Sequence, residues 1–108
     1  MRQRVALART LYEDQPIVFL DEPFSALDAG TRADMQDLTA EALEGRTVLL
    51  VTHDPAEAAR LADKISVISD RTIKDWPAPS TPALRKINDP QTLECQAKLL
   101  SYLRGIAA

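Results

Sequence analysis

Two adjacent carboxylates, Asp21 and Glu22, directly follow an unbroken apolar run, Ile17-Val18-Phe19-Leu20. Acids fixed at the end of a buried strand are suited to work on phosphates. One can hold a hydrated divalent cation while the other orients or polarises an attacking water. A hydrophobic strand ending in Asp-Glu has the form of a Walker B element. A further polar group, His53, stands just past a second apolar run, Thr47 to Val51. Each residue also has an ordinary reading. Two acids at a strand end begin many surface loops, and a lone histidine there is more often a structural group bonded to backbone. Asp28 suits a simple helix N-cap.

Parallel strands would place these groups together. Ile17–Leu20 shows no polar alternation, which predicts a strand covered on both faces. Thr47–Val51 reads the same way, and Ile65–Ser69 (ISVIS) is a third strand. A helix is expected after Asp28, with Leu27, Thr31, Met35, Leu38 and Ala42 on one stripe and Gly45 ending it. Asp54, Pro55 and Glu57 signal the start of another helix, ending near Asp63. Residues 1–12 suit a helix too, with Val5, Ala8, Leu11 and Tyr12 on its apolar face. This alternation predicts an α/β fold with a parallel sheet built from the three strands. Ligands of such sheets bind at the carboxyl ends of the strands, where Asp21, Glu22 and His53 fall.

The character changes after residue 70. Asp70-Arg71 is expected to turn into a short strand at Thr72-Ile73. WPAPSTPALRKINDP (76–90) reads as a proline-rich connector, with Trp76 as its packing anchor. Asp89-Pro90 opens a last helix striped by Leu93, Ala97, Leu100, Leu103 and Ile106, with Glu94 and Lys98 as an i,i+4 pair. The expected organisation is therefore a core at 1–75, a connector at 76–90 and a terminal helix at 91–108.

Composition narrows the partners. Thirteen Lys+Arg against sixteen Asp+Glu in 108 residues give a net charge of −3, which offers no electrostatic drive toward nucleic acid. The single cysteine, Cys95, excludes an internal disulfide and reads as an inert, partly buried thiol. No apolar run approaches the ~20 residues that span a bilayer. MRQRVALARTLYEDQP lacks the apolar core of a signal peptide, so the chain is cytosolic in character.

LDEPFSALD (20–28) followed by LLVTHD (49–54) resembles the nucleotide-binding subunits of ABC transporters. RQRVALARTL (2–11) looks like the helix after that family's LSGGQ signature, with Met1 at the last signature position. The resemblance runs in family order through roughly the first seventy residues. It implies a partial P-loop NTPase fold that uses ATP and Mg²⁺. By the same resemblance Asp21 binds Mg²⁺ through water, Glu22 is the general base or water-orienting carboxylate, and His53 is the switch histidine at the γ-phosphate. Ser25 and Asp28 belong to the D-loop, at the contact with a second ATPase subunit. Arg2, Gln3 and Arg4 head the post-signature helix, whose N-terminus faces the partner's γ-phosphate, as a helix N-terminus attracts anions. Other implied partners are transmembrane permease subunits and, indirectly, a solute-binding protein. The implied location is the cytoplasmic side of the membrane, peripherally, through the permeases. VTHDPAEAARLADKISVIS (51–69) is most similar to importers of small organic solutes of the taurine, sulfonate, nitrate or thiamine-precursor type.

The family's G-x-x-x-x-G-K-[ST] loop does not occur among these residues, whose glycines are Gly30, Gly45 and Gly105. The chain is thus expected to carry the hydrolytic and switch parts of an importer ATPase without the phosphate cradle, and to be inactive alone. The alternatives are a non-catalytic remnant, or the ATPase head of a soluble ABC protein of DNA repair or translation.

Overall fold

The computed structural model describes residues 15–107. The helix expected over residues 1–12, with Arg2, Gln3 and Arg4, lies outside them. Two compact units divide between His53 and Asp54.

In the first unit β1 (Ile17–Asp21) and β2 (Thr47–Val51) pair in parallel, with Ile17 opposite Thr47 and Asp21 opposite Val51. Parallel neighbours need a long connection, supplied by a turn and α1 (Ala29–Ala42). Past α1, Gly45 takes φ 83°, the left-handed geometry that glycine adopts without strain. Val18 and Leu20 are buried, together with Phe24 and Leu43, whereas Ile17, Phe19 and Leu49 are 70%, 60% and 58% exposed. The expectation of strands covered on both faces is therefore not met: among the described residues one face of this sheet is open. The helix stripe also differs from expectation. The residues of α1 that are buried are Gln36 and Thr39, and Leu38 is 56% exposed. With Leu43 these form a row spaced three and four apart, so the inward stripe is partly polar and invisible to an apolar count.

The second unit contains α2 (Pro55–Leu61), β3 (Ile65–Ser69), β4 (Thr72–Trp76) and α3 (Pro90–Ala107). Here the expected three-stranded parallel sheet is corrected: β3 pairs antiparallel with β4, Ile65 opposite Trp76 and Ser69 opposite Thr72. The cause is the two-residue connection. Asp70 and Arg71 take φ 45° and 65°, as a tight hairpin turn with two left-handed residues requires. A link that short permits only an antiparallel neighbour. The strand accordingly runs past Ile73 to Trp76, so Trp76 ends a strand rather than opening a connector.

Ala59, Ile65, Val67, Cys95 and Leu99 form the core of this unit, with Trp76, Ala78, Tyr102 and Leu103 against it. Trp76 packs tilted, at 47°, against Tyr102 with 4.9 Å between centroids, and the Lys74 ammonium lies 4.8 Å from the Tyr102 centroid. α3 turns Thr92, Cys95 and Leu99 inward, leaving Leu93 and Leu100 47% and 46% exposed. Of the expected stripe, Leu93, Ala97 and Leu100 thus lie on the outer face, while Leu103 packs against the core. The proline-rich segment is pinned by the buried Arg85, which donates to carbonyls of Thr81, Pro79, Ala59 and Ala62. Arg60 Nε donates to the Arg85 carbonyl at 2.8 Å. Among the described residues no helix is long and apolar enough to cross a membrane.

Candidate functional site

Parallel pairing brings the carboxyl ends of β1 and β2 side by side, and the acids and the histidine meet there. Asp21 is the exposed last residue of β1. Glu22 extends the ladder by one bond, its N–H donating to the Val51 carbonyl at 2.8 Å. Its backbone then enters the left-handed region, φ 49°. Leaving the strand direction at that residue turns the Glu22 carboxylate to His53, whose Nδ1 it contacts through Oε1. The pair is asymmetric in exposure: the Glu22 side chain is 24% exposed and that of His53 is 93% exposed. The contact leaves the rest of the His53 ring open to solvent.

The turn after Glu22 is fastened from several sides. Ser25 donates through Oγ to the Glu22 carbonyl at 3.2 Å. Phe24 is fully buried and anchors the loop. Asp28 caps α1, accepting from the Thr31 N–H at 2.9 Å and from its hydroxyl at 3.2 Å. The ordinary reading of Asp28 as an N-cap is thereby realised.

Arg32 completes the fastening and was not singled out in the sequence. Its Nε donates to the Phe24 carbonyl at 3.2 Å and its Nη2 to the Leu27 carbonyl at 2.7 Å. Arg32 on α1 thus tethers the loop that carries Ser25 and Asp28. Only its position one turn into the helix after the cap hinted at this, because a side-chain-to-carbonyl bond leaves no periodicity to read.

Among the described residues no group of three His, Cys, Asp or Glu side chains could hold a metal ion. Asp21, a single exposed carboxylate, fits a water-mediated hold on Mg²⁺ and not direct chelation.

No family model matches the chain. Individual relatives do. An uncharacterized ABC transporter ATP-binding protein of Haemophilus influenzae is 60% identical over 67 residues, 62% of this chain and 28% of the relative. An aliphatic sulfonates import ATP-binding protein of Nocardia farcinica is 44% identical over 103 residues, 94% of this chain and 42% of the relative. The trimethylamine N-oxide transport system ATP-binding protein of Ruegeria pomeroyi is 46% identical over 80 residues, 72% of this chain and 24% of the relative. The chain spans less than half the length of each of these relatives. Matched over about 94% of its residues by the Nocardia relative, it belongs with the ABC transporter ATP-binding proteins.

Proposed function

We propose that this chain supplies the hydrolytic and switch elements of the energy-coupling ATPase of an ABC-type importer. The observation that carries the reading is the contact between Glu22 and His53 at the adjacent carboxyl ends of β1 and β2. In this reading Asp21 holds Mg²⁺ through water, Glu22 orients or deprotonates the attacking water, and His53 engages the γ-phosphate. Ser25 and Asp28, fixed by the turn and the helix cap, contact a second ATPase subunit. Arg2, Gln3 and Arg4 approach that subunit's nucleotide. ATP closure of the pair would drive permease subunits, which hold it on the cytoplasmic face of the membrane, with a solute-binding protein upstream. The Nocardia and Ruegeria relatives support a small organic solute as cargo.

The 108 residues contain no G-x-x-x-x-G-K-[ST] loop, so the phosphate grip in this reading comes from polypeptide N-terminal to them. The test is ATP hydrolysis with Mg²⁺ by two proteins. The 108-residue chain is expected to show no turnover above background. A longer product of the same reading frame, carrying LSGG and the glycine-rich loop upstream, is expected to hydrolyse ATP and to lose at least ~10²-fold in kcat on Glu22→Gln. Glu22-dependent turnover by the short chain would overturn its inactivity alone. An unaffected kcat in the long Glu22→Gln variant would overturn the role of Glu22.

A further inference from the structure

The outer face of α3 carries a row that nothing in the second unit covers: Leu93, Ala97, Leu100 and Arg104 are all exposed. Their spacings of four, three and four repeat at 3.5 residues, the period of a helix-on-helix seam. The stripe lies opposite the inward residues Thr92, Cys95 and Leu99, so α3 is apolar on two sides. One turn before Leu93, Asp89 continues the row at the start of the helix. Both bonds by which Asp89 caps Thr92 use Oδ2, so Oδ1 takes no part in the cap.

The row is complementary to itself in reverse. Laid antiparallel on a copy about a two-fold axis between Gln96 and Ala97, each Leu93 meets a Leu100. Each Arg104 then meets an Asp89. The apolar pairs and the charged pairs are satisfied by one and the same register, and the small Ala97 sits where the helices come closest. A parallel arrangement would set Arg104 against Arg104 and Asp89 against Asp89, a like-charge match that disfavours it. We propose that the outer face of α3 is a homotypic docking surface, on which a second copy of this chain binds through its own α3 in antiparallel register. One helix pair buries less than the ~1,200 Å² of a standard stable interface, so the contact is weak by itself. It would reinforce any dimer formed elsewhere by raising the effective concentration. The inference does not depend on the ATPase reading, because it uses none of the residues around Glu22.

Cysteine substitution tests the register on the full 108-residue chain, in a Cys95→Ala background to remove the native thiol. A disulfide needs Cα atoms within about 7 Å. In the proposed register the two copies of Ala97 lie beside the axis, while the two copies of Leu93 are separated by about two helical turns. Ala97→Cys is expected to give a crosslinked dimer under mild oxidation, and Leu93→Cys is not. Arg104→Glu in the Ala97→Cys chain is expected to slow crosslinking about tenfold, and Asp89→Lys with Arg104→Glu to restore it. Circular dichroism checks that each variant retains its helix.

Crosslinking of Leu93→Cys as fast as Ala97→Cys would overturn the antiparallel register. Indifference to Arg104→Glu would overturn the charge pairing. Failure of folded Ala97→Cys to crosslink would overturn the proposal itself. Loss of crosslinking in a longer polypeptide containing this chain would show that its remaining segments, not a second copy, occupy the face.

Discussion

Arg85 illustrates how much one residue can hold. Its guanidinium reaches four carbonyls, two of them at the end of α2, and thereby ties a proline-rich segment that has no ladder of its own. Arg85→Ala strands buried acceptors and is expected to lower unfolding stability by about 3 kcal/mol, measured by urea titration. Cys95 is buried beside it. Desolvation raises its thiol pKa, against smaller lowering by the Arg85 and Lys98 charges. A folded pKa above the unfolded one favours the native state below the ordinary thiol pKa. That contribution is lost as pH rises through the folded value. At pH 8, Cys95 should therefore resist alkylation in the native chain and react quickly in urea. The burial of this thiol agrees with its reading in the sequence. The role of Arg85 was not legible there, because a surface charge and a buried staple look alike in sequence.

At the scale of elements, strands and helices were legible from apolar runs and caps, whereas faces and pairings were not. Asp54 caps α2 and Asp28 caps α1, both as expected. β3 was read correctly as a strand and wrongly as a parallel neighbour, since pairing is decided by the link that follows and not by the strand. That link holds two left-handed residues without glycine. Replacing Asp70-Arg71 by Asn-Gly should stabilise the hairpin by about 1 kcal/mol, seen as a higher urea midpoint. The helix stripes failed where an inward row mixes polar and apolar residues, as Gln36 and Thr39 do in α1. The contrast is testable. Leu99→Ala, at a 2% exposed position, should cost about 3 kcal/mol. Leu38→Ala, 56% exposed, should change stability by less than about 0.5 kcal/mol.

For the molecule as a whole, the open face of the β1–β2 sheet is the main liability. Ile17, Phe19 and Leu49 there are all more than half exposed. A flat apolar face beside unpaired strand edges favours self-association. Phe19→Thr with Leu49→Thr should reduce light scattering at high concentration while leaving the unfolding midpoint nearly unchanged. The sequence announces that a run is apolar but not which neighbour will lie against it, and a sheet without its usual covering elements is expected to expose such a face. The left-handed backbone of Glu22 bears on the molecule's history. A side chain in that conformation costs roughly 1 kcal/mol that glycine would not, so Glu22→Gly should raise the thermal midpoint even as it removes the carboxylate. If Glu22 has the proposed role, a lineage relieved of it would gain stability by drifting to glycine at this position. In that proposal the glutamate stands where the backbone favours glycine, and glycine at the same place in a descendant would be a mark of disuse.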